Sequence, residues 1–321
     1  MLKILTHISR VFVGLLFIYS GFVKLIDPLG TMFKLEEYFS EAVLDLEFFT
    51  PYALIFAILL VVAETVLGIM LIVGFKPKFT VWSLFGITLI FLFLTWYSYT
   101  YNKVTDCGCF GDAIKITPKQ TFYKNVIFIV LIGILIAGLK YIKEIPSLKI
   151  AKLTTYTSIF ISFVIVYYVL QHLPIIDFRA YSVGTNIAEG MKYQGDGEVP
   201  PIHDFMIDTD EGDLLEQMLA KDKAMLVVLR DFEKLEKEGV APIAKVAKEA
   251  KSKGYEIYVL TASYVEDLAK SQQEYDLPYV FGFCDATALK TAIRANPGVI
   301  KVEKGVITGK WNWTDADDVT F

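Results

Sequence analysis

The sequence predicts an α-helical transmembrane bundle, a four-helix unit plus a fifth helix, followed by an α/β domain outside the bilayer. Three observations predict it. The 321 residues are 54% hydrophobic and 21% charged, with a mean hydropathy of +0.47, too apolar for a soluble chain and too long for one bundle. Apolar runs of roughly 17 to 25 residues, long enough to cross the hydrocarbon core as helices, occur five times and only before residue 174. Charge then changes character: residues 1–178 carry 14 Lys and Arg against 11 Asp and Glu, and residues 179–321 carry 17 against 25, a net charge of −8.

The five runs are Ile8 to Ile26, Tyr52 to Val73, Val81 to Tyr99, Phe122 to Ile142 and Thr154 to Leu173. Each is apolar all round, without the polar face of a soluble amphipathic helix. The first carries Arg10 and Lys24, lacks a small-residue cleavage site and ends in Asp27-Pro28, so it reads as a retained helix and not a signal peptide. Lys and Arg concentrate on cytoplasmic flanks. Lys3, Arg10, Lys76, Lys78, Lys140, Lys143, Lys149 and Lys152 lie on one set of flanks, with Glu144 the only acid there, and most acids lie on the other set. This places the N-terminus in the cytoplasm, and five crossings of an inner (cytoplasmic) membrane leave the C-terminal domain in the periplasm. Nucleic acid is not an expected partner, because no basic stripe is present to meet phosphates. The lipid bilayer is.

Beyond the last run, the Gly- and Pro-containing stretch 177–198 reads as a linker. A hairpin from Phe205 to Gly212, a buried strand from Met225 to Leu229 and a helix with apolar positions Ile243, Val246, Ala247 and Ala250 follow. A strand from Ile257 to Leu260 and a helix from about Val265 to Tyr275 come next, and a hairpin turning at Glu303-Lys304-Gly305 completes an α/β order. The expected divisions are thus 1–145 for the four-helix unit, 146–176 for the fifth helix, 177–198 for the linker and 199–321 for the outer domain.

Three cysteines are too few for a disulfide framework. Two of them, Cys107 and Cys109, flank Gly108 in a loop predicted to face the periplasm, where disulfides persist. A pair one residue apart can close a small strained ring, and strain makes a disulfide labile and oxidising. A structural disulfide or two packed thiols are the plainer alternatives. A metal would need three or four ligands; with His7 on the wrong side and only His172 nearby, none is predicted. Glu64, near the middle of the second run, is costly in hydrocarbon and a functional candidate for that reason. It could serve protons or pair with Lys24 or Arg10. Counting about 1.5 Å per residue places it below Lys24 and above Arg10, which favours a buried polar anchor near Ser20 and Thr65. The third run is rich in aromatic residues, most of them suited to lipid packing. Trp96 and Tyr97, nearest the cysteine loop, join Glu64 and Lys24 as candidates for a proton or quinone site.

The membrane half resembles the DoxX/MauE family over roughly its first 145 residues. The resemblance rests on Arg10-Val11-Phe12-Val13-Gly14, Ser20-Gly21 and Lys24-Leu25 in the first run, Glu64 in the second, the basic hinges, and above all Cys107-Gly108-Cys109-Phe110-Gly111. It implies disulfide formation in a partner, with Cys107 and Cys109 as the redox pair; a quinone in the bilayer would be the electron acceptor, as in vitamin K epoxide reductase-type bundles. From about Val199 to Trp313 the chain is similar to thioredoxin-like domains of the peroxiredoxin/TlpA type. The matching features are the early hairpin, Pro242, Leu277-Pro278-Tyr279 before Cys284, and Asn296-Pro297-Gly298, where Pro297 holds the cis-proline position. The departure is at Lys234-Leu235-Glu236-Lys237, where that family's Cys-x-x-Cys would fall. A thiolate is the nucleophile of disulfide exchange, so this domain is expected to recognise a periplasmic client without redox chemistry of its own. A non-enzymatic scaffold subunit is the alternative for the whole chain.

Overall fold

The computed structural model describes all residues except 105–110, 112–116, 194, 196–198 and 265–267. The chain divides into two compact units, Met1–Leu170 and Gln171–Phe321.

In the first unit, five helices among the described residues are long and apolar enough to span a membrane: α1 (Leu2–Leu25), α3 (Ala53–Val73, extended by a 3-10 turn from Glu47), α4 (Pro77–Tyr101), α5 (Pro118–Ala137) and α6 (Leu148–Gln171). These are the five apolar runs of the sequence. A shorter helix, α2 (Pro28–Phe39), was not expected. Its signal is local: Asp27 caps it by accepting a hydrogen bond from the Gly30 amide at 3.1 Å, and Pro28 opens the first turn.

The central seam joins α1 to α3, which run antiparallel. A Cβ on Gly68 would lie 2.8 Å from the Ile18 amide nitrogen and 2.9 Å from the Gly14 carbonyl; one on Gly21 would lie 2.6 Å from the Thr65 amide nitrogen. Backbone meets backbone here because these residues have no side chain. Hydrocarbon supplies no hydrophobic force between helices, so close van der Waals contact of this kind is what holds them together. Around the seam pack Val13, Phe17, Val61, Leu67, Leu71, Leu84, Ile132 and Leu135.

Arg10, considered above as a partner for Glu64, is not one. Its Nε donates to the Leu71 carbonyl at 2.8 Å, and its Nη2 donates to the carbonyls of Ile72 and Lys143 at 2.9 and 3.0 Å. The guanidinium thus satisfies carbonyls at the end of α3, where a helix has no further amides to offer.

The second unit is a three-layer α/β/α sandwich. Its strands are β1 (Asp208–Thr209), β2 (Gly212–Asp213), β3 (Lys223–Val228), β4 (Glu256–Thr261), β5 (Val280–Phe283), β6 (Gly298–Glu303) and β7 (Val306–Asn312), in the order β2-β1-β5-β4-β3-β6-β7. β3 runs parallel to β4 and antiparallel to β6, and β7 is antiparallel to β6. A central parallel pair joined through a helix, followed by an antiparallel hairpin on the far side, is the thioredoxin-like arrangement. Alternation along β3 splits the core: Leu226 and Val228 face one layer with Ile300 and Leu289, while Met225 and Val227 face the other with α7 (Val240–Ser252) through Ile243 and Ala247.

The stretch read as a linker is, where described, integral to this unit. Tyr181 and Ile187 are buried in its core, and the Gly184 and Ile187 amides donate to the Ile307 and Gly305 carbonyls along the outer edge of β7. Asp177 ties the stretch down. It accepts from Arg179 Nε at 2.7 Å and also from Lys310. Burial, and then the nearby Arg179 guanidinium, push the Lys310 ammonium down to about 8.

The seam makes a direct prediction. Gly21→Val puts two methyl groups where Thr65 backbone lies, an overpacking that costs about 1–3 kcal/mol. Thermal unfolding of the detergent-solubilised chain should begin several degrees lower, whereas Gly86→Val, where a Cβ meets nothing within 4 Å, should leave it unchanged.

Candidate functional site

Glu64 and Lys24 form the buried charge pair of the bundle. Lys24 Nζ lies 2.7 and 2.8 Å from the two carboxylate oxygens of Glu64, and the side chains are 5% and 1% exposed. Ser20 Oγ donates to Oε2 at 3.0 Å, and the ammonium stands 5.0 Å from the centre of the Phe91 ring. The rise-per-residue estimate that placed Glu64 well below Lys24 left out the direction of side chains. On a helix they lean toward the N-terminus. Because α1 and α3 are antiparallel, Lys24 leans down toward Glu64 and Glu64 leans up toward Lys24.

Beside the pair is a cavity of about 10 Å³, lined by Leu16, Phe17, Ser20, Lys24, Glu64, Phe91, Lys124, Asn125 and Phe128. Its lining draws on α1, α3, α4 and α5. Sequence reading passed over Lys124 and Asn125 and counted Phe91 among the third run's aromatic residues suited to lipid packing. A charged residue and an amide one turn inside an apolar run were a usable signal at 124 and 125; Phe91 had none.

Trp96 and Tyr97 do not line this cavity. Tyr97 donates from its hydroxyl to the Val43 carbonyl at 2.7 Å and packs with Tyr38, Val43 and Val104. Trp96 is exposed on the bundle's surface beside Phe93 and Tyr101. A quinone ring does not fit a space of this volume, so no quinone-bound step is derived from it.

Cys107 and Cys109 lie outside the described residues. Gly111, two positions beyond Cys109, is described: a Cβ on it would stand 3.2 Å from Val23 Cγ1 and 4.0 Å from the Val23 carbonyl oxygen. Gly111 therefore rests against the immediate chain neighbour of Lys24.

In the second unit the Asn296–Pro297 peptide is cis and leads into β6. Facing it is loop 231–236, which includes the first positions of the absent Cys-x-x-Cys. Asn296 Nδ2 donates to the carbonyls of Asp231 and Lys234 at 2.8 and 3.0 Å, and the Glu236 amide donates to the Asn296 carbonyl at 3.0 Å. Trp313 Nε1 donates to Glu236 at 2.6 Å. The loop is fastened by polar bonds where a redox domain would present sulfur. Cys284 is fully buried after β5, and burial pushes its thiol up to about 11. No group of three or more His, Cys, Asp or Glu among the described residues is placed to hold a metal.

Five membrane-spanning helices define a multi-pass membrane protein. Its residues 2–138 match the family model of methylamine utilisation protein MauE. Among curated proteins, none is similar enough to the chain to count as a match. Among solved structures, the chain is similar to the solution structure of a thiol:disulfide interchange protein from Bacteroides sp., at 18% identity over 33% of this chain and 75% of that one. The TM-score of that likeness is 0.27, too low to carry an argument, and the thioredoxin-like description rests on the strand order above.

Two outcomes follow from the geometry. Lys24→Met leaves a carboxylate buried without its cation, a loss of about 3–5 kcal/mol, while Lys24→Met with Glu64→Leu should recover most of it; thermal unfolding of the four proteins of this cycle measures the coupling. In a Cys107→Ser/Cys109→Ser background, Cys284 should resist iodoacetamide at pH 8 in the folded chain and react fully in guanidinium, read by mass.

Proposed function

We propose that the chain is a membrane thiol–disulfide exchange protein in which Cys107 and Cys109 form the redox pair and Lys24–Glu64 is the proton site serving it. The observation that carries this reading is the position of Gly111. Gly111 packs against Val23, and Val23 adjoins Lys24 of the buried ion pair in the chain. The MauE match over residues 2–138 supports the same reading.

The reaction is an exchange. A client thiolate attacks one sulfur of the Cys107–Cys109 disulfide; that S–S bond breaks as a mixed disulfide forms, and the departing thiolate takes a proton. A second client thiolate then resolves the mixed bond. The client leaves with a disulfide, and Cys107 and Cys109 hold two electrons and two protons as thiols. We place the pair and the second unit in the periplasm, opposite a cytoplasmic N-terminus at the inner membrane, on the distribution of Lys and Arg. The second unit lacks exchange chemistry, and we assign it to recognising the periplasmic client. A quinone of the bilayer is the class of acceptor proposed for re-oxidation, docking outside the cavity.

The test is the thiol state in native membranes, trapped by acid and alkylation. The pair should move from disulfide to dithiol when quinone is depleted, and Cys107→Ser should abolish disulfide formation in co-purifying proteins. If Cys107→Ser is silent while deletion of residues 199–321 removes the phenotype, the scaffold reading replaces this one.

A further inference from the structure

One end of the bundle carries a groove that the exchange reading does not use. It opens on the first turns of α4, holds about 740 Å³, and is lined by Lys76, Pro77, Lys78, Phe79, Trp82 and Ser83. Positions three and four apart on a helix share a face, so Lys78, Phe79, Trp82 and Ser83 form one continuous surface. That surface is almost all carbon, with Phe79 and Trp82 exposed on it. Its polar side-chain groups, two ammoniums, an indole N–H and a hydroxyl, can all donate. Among the described residues none of the four has a hydrogen-bond partner or an ion pair. The charge extends beyond the groove. Lys76 Nζ lies 5.6 Å from the centre of the Phe75 ring, that ring lies 6.4 Å from the Tyr156 ring, and Lys152 Nζ lies 5.9 Å from the centre of the latter. A third lysine, from α6, thus reaches the same end of the bundle, and Glu144, the one acid on this flank, forms no ion pair with any of them among the described residues.

We infer that this groove binds one anionic phospholipid, with its phosphate on Lys76, Lys78 and the donors of Trp82 and Ser83, and the upper part of an acyl chain against Phe79 and the Trp82 ring. The chemistry decides the occupant. Two unmatched cations call for an anion. A bare phosphate ion would meet the cations and leave the rings uncovered, and a zwitterionic headgroup would bring its own cation against the lysines. The groove falls within the roughly 300–1,000 Å³ of sites for drug-sized ligands, enough for a headgroup and the top of its chains, with the rest in the bilayer. Tryptophan and lysine each pair an apolar body with a polar tip, which suits this boundary. The distribution of Lys and Arg assigns this end of α4 to the cytoplasm, and the cytoplasmic leaflet is the anionic one. The inference goes beyond the exchange reading and does not depend on the cysteines.

Native mass spectrometry of the full chain tests it, after delipidation in detergent and titration with dioleoyl phosphatidylglycerol or dioleoyl phosphatidylcholine. The wild type should retain one phosphatidylglycerol where phosphatidylcholine is lost; equal retention of the two overturns the inference. Lys76→Gln/Lys78→Gln should weaken that binding about tenfold, Trp82→Leu should weaken it as well, and Lys76→Arg/Lys78→Arg should preserve it. All three side chains are exposed, so these variants should melt in detergent as the wild type does. Lys3→Gln/Lys140→Gln removes the same charge elsewhere on this flank and should leave binding unchanged; an equal loss there overturns the groove in favour of diffuse charge. Displacement of the lipid by millimolar inorganic phosphate overturns it in favour of a free anion. The second measurement uses phosphatidylcholine nanodiscs doped with a phosphatidylglycerol that carries a photoactivatable diazirine high in its acyl chain. Crosslinks should map to residues 76–83 and fall in Lys76→Gln/Lys78→Gln, whereas crosslinks spread evenly over the five spans overturn the site.

Discussion

Everything in the membrane unit is arranged around the cost of placing charge in hydrocarbon. An ionisable side chain in the middle of a spanning helix is expensive unless it meets an opposite charge and its remaining hydrogen-bonding capacity is used. Glu64 meets both conditions, with Lys24 on both oxygens and Ser20 on one. Neither partner comes from its own helix, so the pair exists only if α1 lies directly against α3. The glycine seam makes that possible. Gly21, between Ser20 and Lys24 in the chain, approaches the Thr65 backbone so closely that a Cβ would not fit, and Thr65 is the neighbour of Glu64. The close approach and the ion pair are the same contact seen as packing and as electrostatics.

Arg10 shows the same constraint with a different solution. Instead of a carboxylate bond it directs its donors to three backbone carbonyls where α3 ends and the chain passes residue 143. Those carbonyls would otherwise be left at a helix terminus within an apolar surrounding, and an unmatched polar group there costs several kcal/mol by the order of magnitude usual for hydrocarbon. One end of the α1–α3 seam is thus closed by a cation on carbonyls and the upper part by a cation on a carboxylate.

How much of this was legible in the sequence depends on whether the signal was local. The five spans follow from length and apolarity alone, and the β6–β7 hairpin follows from Lys304 and Gly305, both at positive φ in the turn. The inner face of α7 was visible in the spacing of Ile243, Val246, Ala247 and Ala250. The partner of Glu64 was not visible, because it depends on which faces of two helices meet and on the lean of long side chains, and a ladder of rises per residue contains neither. Trp96 and Tyr97 were plausible by nearness to the cysteines in the chain. Yet successive residues of a helix point in different directions, and these two look to the surface and to Val43, leaving Phe91, one and a half turns earlier, to face Lys24. The segment 177–198 looked like a linker because its polar and glycine content resembles one; its core residues, Tyr181 and Ile187, are too widely spaced to form a pattern of their own.

The proposed division of recognition from chemistry between the two units has a physical reason. A thioredoxin-like domain exchanges disulfides through a thiolate at the start of the helix after its first central strand, and here that approach is occupied by Asn296 holding the carbonyls of Asp231 and Lys234. The remaining cysteine is no substitute: Cys284 is enclosed, and burial holds its thiol protonated. That leaves Cys107 and Cys109 as the pair on which the exchange proposal rests, and Lys24 with Glu64 as the charges that the bundle could bury only in partnership.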